Sequence, residues 1–388
     1  LAFVLSACGD DDRARTDAGP TPDVVVVDAV SVDAPGDAGN DIAIATPDAG
    51  PQDCVSILAL DTDFRLSEDG LAIHPAAVFD GDALWLTYTI REGETSNFDI
   101  VLRRVACDGS VGPAMVVHDI EGESDLDSDI AINGERLLVG YQSDDKIGEV
   151  STIRPFVRAF DLSGAPLAGS LPVAREREGV AITGTNWMAR LDLDGVELAP
   201  ATDVAPTDQV ESQTNLAISD GEAPFFAWTN FGDANLVSSA PLGGSATAFA
   251  SGSITEDNPA LSGELLSLQA GGGARLTIQV RNLVTGAEAS IGGISDANAF
   301  SDIAGTPDAF AIVWLRQISG TRNDIFVASG SETGGLMTLS APVAIDTSAD
   351  VSPYPPFIVA LGEGRYFVGW TQVVTSPNFE VHGRIVEL

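Results

Sequence analysis

The chain has 388 residues, 57 of them Asp or Glu against 19 Lys or Arg, for a formal net charge of −38. Nothing in so acidic a protein offsets phosphate repulsion, which argues against DNA or RNA as partners. The same charge repels an anionic membrane face and favours solubility.

Leu1 to Ala7 reads LAFVLSA, an apolar, uncharged run ending in small residues. That is the tail of a secretory signal running into its cleavage site. It lacks a positively charged start and an initiator Met, so it reads as the end of a longer leader. Leu5-Ser6-Ala7-Cys8 resembles the lipobox of bacterial lipoproteins, in which the cysteine is acylated and becomes the new N-terminus. The resemblance implies that residues 1–8 are a truncated lipoprotein signal peptide, with Cys8 as the lipid attachment point and the membrane as a partner through that lipid. Asp10 to Asp12 are similar to the acidic residues that promote surface export after such cysteines.

Residues 9–53 read as a disordered acidic tether. DAGP occurs at 17–20 and 48–51, TPD at 21–23 and 46–48, and 11 Asp stand against two Arg with no aromatic residue. Low hydrophobicity, repeated Pro and Gly and like charges keep such a segment extended. Val24 to Val27 is a short apolar exception.

Residues 54–388 are expected to form one large β domain. Cys54 opens it and Cys107 ends an expected strand. In an exported protein the two are expected to pair as a disulfide. Bridging them closes a loop worth about 4 kcal/mol in the chain-entropy model. No apolar run in this region approaches the roughly 18 residues needed to span a bilayer.

Five stretches in this domain match one another: LTYT (86–89), VGYQ (139–142), FAWT (226–229), IVWL (312–315) and VGWT (368–371). Their aromatics, Tyr88, Tyr141, Trp228, Trp314 and Trp370, are 53, 87, 86 and 56 residues apart. The two long gaps each leave room for a degenerate copy, near Gly184 and near Ala270, in GVAITGT (179–185) and LLSLQAG (265–271). Each unit opens on an apolar stretch, as in HPAAVF (74–79), SDIAI (128–132) or FSDIAG (300–305). A Gly or Asp turn follows, then the aromatic strand, a polar loop and another strand such as FDIVLRRVA (98–106) or FEVHGRIVEL (379–388). Short strands rich in β-branched and aromatic residues, joined by Asx-Gly turns, are antiparallel meanders.

Three or four strands repeating at this interval are the signature of a β-propeller blade. A lone twisted sheet cannot bury both faces, whereas a ring buries each against a neighbour and protects the edges. Seven blades fit best. Six result if the compressed third unit is an insertion, and a pair of β-sandwiches is the alternative fold. Val55 to Leu60 is the expected closing strand of the last blade. Together with the lipobox, this rhythm resembles the secreted β-propeller lipoproteins of GC-rich bacteria. That resemblance implies a fold and an address at the cell envelope, in the outer membrane or on the cell surface.

Catalytic signals are sparse. No G-x-S-x-G elbow is present, and no catalytic residue is assigned. The S-x-D-x-G-x-T-W box of sialidases, the first propeller enzymes to consider, is absent, and IRP (153–155) is similar only in part to their Arg-Ile-Pro motif. His74, His118 and His382 lack the spacing of a zinc site. Asp125, Asp127 and Asp129 alternate in SDLDSDI, so a strand would place them on one face, and calcium takes such oxygen ligands. An EF-hand loop would need Gly at Ile130 and Glu at Arg136, so calcium is the weaker reading beside a solvated acidic turn. LDLDG (191–195) is another partial match.

The repeated aromatics are read as inter-sheet packing. Trp85 and Trp187 break the phase, and with Arg190 they are the candidate ligand contacts. The expected function is a monomeric, cofactor-free binding module for a glycan, peptide or protein. A polysaccharide-degrading hydrolase or lyase is the first alternative; it requires two carboxylates, or an Arg and Tyr group, converging at the channel mouth. A structural surface protein without a dedicated ligand is the second.

Overall fold

The computed structural model describes the strands Ala2–Leu5 and Val25–Ala29 and residues 62–388, apart from connecting segments of which 173–186 is the largest. The chain is all-β and propeller-like: no helix occurs among the described residues, and antiparallel meanders succeed one another along the sequence.

The first meander runs Leu71–Phe79, Ala83–Arg91, Phe98–Ala106 and Met115–His118. The second is Asp125–Asn133, Arg136–Ile147, Val150–Asp161 and Leu171–Pro172. Val210–Ala217, Phe225–Phe231, Leu236–Pro241 and Thr247–Ala248 form a later one, followed by Thr255–Ser262, Leu265–Gly272, Arg275–Asn282 and Glu288–Ile291. Ala297–Thr306, Ala309–Ser319, Arg322–Thr333 and Leu336–Leu339 come next, with Val343–Asp346 also on the third strand. The last meander is Phe357–Gly362, Arg365–Thr375 and Asn378–Glu387. Between the second meander and the one opening at Val210, Trp187–Leu191 and Glu197–Asp203 pair with each other. Val25–Ala29 lies parallel to Trp187–Leu191, and Ala2–Leu5 pairs outside it. The apolar Val24–Val27 stretch thus falls on a strand.

The opening strands of successive meanders lie against one another. Leu71–Phe79 meets Asp125–Asn133, Val210–Ala217 meets Thr255–Ser262, and that strand meets Ala297–Thr306. Ala297–Thr306 in turn meets Phe357–Gly362, which returns to Leu71–Phe79. Ala2–Leu5 touches both Asp125–Asn133 and Val210–Ala217.

Each core therefore lies between two sheets. The second strand of the first meander is buried from Ala83 to Thr89 on both faces, as a sheet covered on both sides requires. Tyr88 packs with Phe367 and Ile385 of the last meander, Tyr141 with Ile100 of the first, and Trp314 with Ile278 and Val280 of the meander before it. Trp370 sits in the cluster that holds Val313 and Ile325. Tyr88, Tyr141, Trp228, Trp314 and Trp370 are all at most 1% exposed. Where tested by these contacts, the aromatic faces the preceding sheet. Leu268, 2% exposed, holds the position in the degenerate copy near Ala270. GVAITGT (179–185) lies outside the described residues.

Closure differs in position from expectation. The strand that completes the last meander is Asp63–Arg65, antiparallel to Asn378–Glu387, a few residues beyond the expected Val55–Leu60. The backbone N–H of Val381 donates to Ser67 Oγ at 2.7 Å across 314 residues of chain. Leu66 N donates to Val381 O at 2.8 Å beside it.

Candidate functional site

The opening strand of a meander carries a β-bulge in five sheets. The register slips between Ile73 and Ala76, Leu126 and Asp129, Ser212 and Asn215, Asp257 and Ala260, and Ala299 and Asp302. A bulge bends the strand and re-aims its side chains. At equivalent bulge positions His74, Asn258 and Phe300 have φ of 51°, 49° and 51°. Asn tolerates the left-handed region; for a bulky His or Phe it is a strained conformation, retained where surrounding structure imposes it.

The next residue ties sheets together. Thr87 Oγ1 donates to Ser128 Oγ at 3.0 Å, and Ser301 Oγ donates to Ser267 Oγ at 3.2 Å. Each bond joins an opening strand to the second strand of the preceding meander.

One residue further stand Asp129 and Asp302. Asp129 Oδ1 accepts from Ile130 N at 2.8 Å. Asp302 Oδ1 accepts from Ile303 N at 2.8 Å, and its Oδ2 accepts from Ile358 N on the neighbouring opening strand at 2.9 Å. Opening strands are sheet edges with unpaired N–H groups, and Asp302 satisfies one. Burial pushes the Asp129 carboxyl up to about 7; its bond from Ile130 lowers it, and the nearby Asp302 charge raises it further. Burial likewise raises Asp302 to about 6, against the lowering effect of Ile358 and Ile303. The sheets that carry these two acids are separated by the first and last meanders. The Asp302 charge nonetheless reaches Asp129, in keeping with the contacts between successive opening strands.

At the same end of the opening strands three half-buried rings form a chain. His74 meets Tyr354 edge-to-face with centroids 5.2 Å apart, and Tyr354 meets Phe379 at 5.5 Å and 73°.

The expected acidic cluster is taken apart by the bulge. Slippage between Leu126 and Asp129 breaks the alternation, so the common face expected for Asp125, Asp127 and Asp129 does not form. Asp125, 2% exposed, accepts from or pairs with His118 Nδ1 at 2.9 Å through Oδ2, joining the first and second meanders. His118 stacks on Phe156 at 5.6 Å and meets Tyr141 at a tilt of 41° and 5.3 Å. Asp129 instead accepts from Ile130 N beyond the bulge, and the side chain of Asp127 lies outside the described residues. No group of three or more His, Cys, Asp or Glu able to hold a metal occurs among the described residues.

Trp85 is fully buried, and its Nε1 donates to Asp80 Oδ2 at 2.8 Å. It lies three positions from Tyr88, hence on the opposite face of its strand, and packs towards the second meander with Tyr141 and Phe160. Its phase break thus reflects packing against the following sheet, and its ring offers no ligand surface. The strand Trp187–Leu191 is described in its backbone only, so the side chains of Trp187 and Arg190 lie outside the described residues, as do Cys8, Cys54 and Cys107.

Asp302, Tyr354 and Phe379 were not singled out by sequence. The first was visible: Ser-Asp-Ile-Ala occurs at 128–131 and again at 301–304, in the same place in two units. The two rings come from different strands and carry no such sign.

No protein-family model and no curated protein matches the chain. Among solved structures, an unknown-function protein from Dyadobacter fermentans is 13% identical with a TM-score of 0.52, over 85% of this chain and 99% of that one. The likeness is one of fold. NanB sialidase from Streptococcus pneumoniae is 9% identical at a TM-score of 0.47, over 86% of this chain and 72% of its own. Trypanosoma rangeli sialidase is 8% identical at 0.44, and this chain spans 58% of it. At those scores neither sialidase carries an argument about activity.

Proposed function

We propose that the protein is a seven-bladed β-propeller, lipid-anchored through Cys8 at the bacterial envelope, that binds a neutral glycan at the bulged end of its opening strands. The observation that carries the reading is the chain of half-buried rings His74, Tyr354 and Phe379 on the same end as Asp129 and Asp302. Aromatic faces suit sugar rings, and polar groups beside them fix orientation. These two carboxylates in a protein of charge −38 disfavour an anionic sugar.

Seven blades follow from counting the N-terminal strands with Trp187–Leu191 and Glu197–Asp203 as the third. The contacts of Ala2–Leu5 with Asp125–Asn133 and Val210–Ala217 support that count for the unprocessed chain. Processing at Cys8 would remove Ala2–Leu5 from this blade and leave Val25–Ala29 as its inner strand. The Asp, Ala, Pro and Gly of residues 9–53 then hold the domain off the membrane. Labelling with a fatty-acid analogue tests the anchor: the native chain takes the label and Cys8→Ser does not.

Binding is tested by titrating the full chain carrying Cys8→Ser with neutral and acidic polysaccharides. Saturable binding of a neutral polysaccharide, weakened at least tenfold by Tyr354→Ala, supports the reading. The absence of any component of binding that depends on Tyr354 sinks it.

A hydrolase is the second reading, because Asp129 and Asp302 both have raised proton affinity and the Asp302 charge reaches Asp129. Asp302 argues against it, since both of its oxygens already accept backbone N–H groups. Chain-shortened products that vanish in Asp129→Asn would decide for catalysis.

A further inference from the structure

A second site lies at the other end of the sheets. An open groove of about 430 Å³ runs between the last two meanders, within the usual range of ligand pockets. Its walls are the turn after Ala297–Thr306, the hairpin from Ser329 to Ser340, and the turn before Arg365. Asp308 lies beyond the far end of the strand from the Phe300 bulge, so the groove is remote from the ring chain.

The lining is rich in hydroxyls: Ser329, Ser331, Thr338, Ser340 and Tyr366. Some serve the hairpin. Ser340 Oγ accepts from Ser329 N at 3.0 Å, and Thr338 Oγ1 donates to Ser331 O at 3.3 Å. Tyr366 does not. It is 4% exposed, packed by its ring in the core with Val313 and Val368, yet its hydroxyl has no hydrogen-bond partner among the described residues. Burial raises its proton affinity with no bond to oppose it. The ring is buried while the residue lines the groove, where water or a ligand hydroxyl can bond the phenol. The Asp308 carboxylate and Ser329 Oγ also lack partners among the described residues.

We infer that this groove is a binding site for an uncharged sugar unit, held by Tyr366 Oη, Ser329 Oγ and the Asp308 carboxylate. A carboxylate only accepts, whereas hydroxyls donate and accept; sugar hydroxyls match that mixture. No Arg, Lys or His lines the groove, so an anion finds no counter-charge. The site stands apart from the ring chain and does not depend on it.

Saturation-transfer NMR on the full Cys8→Ser chain tests it with cellobiose, maltose and laminaribiose, and with glucuronic acid as the anionic control. The expected result is saturable binding of at least one neutral disaccharide, about tenfold weaker in Tyr366→Phe and lost in Ser329→Trp, which fills the groove. All of these titrations are run in a Tyr354→Ala background, which silences the ring chain, so failure here and failure at the ring chain are separable. No saturable binding by about 10 mM, preference for glucuronic acid, or binding indifferent to both groove variants overturns the inference. Urea titration of Tyr366→Phe confirms that its fold is intact.

Discussion

Replacing Asp129 by Asn removes an ionisation that the fold resists. In the folded chain the Asp129 carboxyl keeps its proton to about 7, against an ordinary value of 3.8. Folding therefore favours the protonated form, so the stabilising state is fully present below 3.8. The chain loses that stability progressively as pH rises to about 7, where the native carboxyl finally ionises. Roughly three pKa units correspond to about 4 kcal/mol; solvent reaching the partly exposed carboxylate reduces this to about 2–4 kcal/mol. Asparagine has nearly the same shape, and its Oδ1 can accept from Ile130 N as Asp129 does. Asp129→Asn should thus match the native chain at pH 4 and exceed it above pH 7. For a domain this large the gain amounts to roughly 3 to 6 °C in melting temperature. Calorimetric melts of both chains at pH 4, 6 and 8 measure the gap. A gap that stays constant across that range, or narrows as pH rises, would falsify the assignment of Asp129 as a buried carboxyl with raised proton affinity.

Three further outcomes follow from the packing. Trp314→Ala should cost about 3–5 kcal/mol in denaturant titration and leave Asn298 Oδ1 without the donor it now has at 3.0 Å; Trp314→Leu should cost less, as Leu268 fills that position one sheet earlier. Gly369→Ala should destabilise by about 1–3 kcal/mol, because a Cβ there overlaps the Phe357 ring, while Gly272→Ala, with open space around it, should be within about 1 kcal/mol of neutral. Ser67→Ala should cost about 1–3 kcal/mol by orphaning the buried Val381 N–H, and an unchanged denaturation midpoint would show that this bond contributes nothing to closure.

The repeat was legible because packing imposes it. Every sheet presents one large side chain to the sheet before it, and Tyr88, Tyr141, Trp228, Trp314 and Trp370 mark that demand in the sequence. Strand Phe98–Ala106 coincides with its expected span because its apolar run, buried on both faces from Ile100 to Leu102, stops at the Cys-Asp-Gly turn that follows. Bulges are a different matter. A single extra residue shifts every side chain after it to the other face, so Asp125 and Asp129 part company although they alternate in sequence. Trp85 misled for a related reason, since an odd offset from Tyr88 looks like an exception when it marks the second buried face. Asp302 was written in the repeated Ser-Asp-Ile-Ala. Its proximity to Asp129 was not, because that arises only when sheets distant in sequence come together.

The pairing of Asp63–Arg65 with Asn378–Glu387 has a consequence for the order of events in biogenesis. The last sheet takes its fourth strand from the start of the domain, so it stays incomplete until nearly the whole chain has left the ribosome. Contacts so far apart in sequence form late, after costly loop closure. Earlier meanders can fold as they emerge, but the first and last keep open edges until residue 387 arrives, and during that interval the chain is most exposed to mispairing with another copy. Because the two ends meet, a circular permutant that links Leu388 to Thr62 and opens the chain in a hairpin elsewhere would move that vulnerable moment to a different sheet.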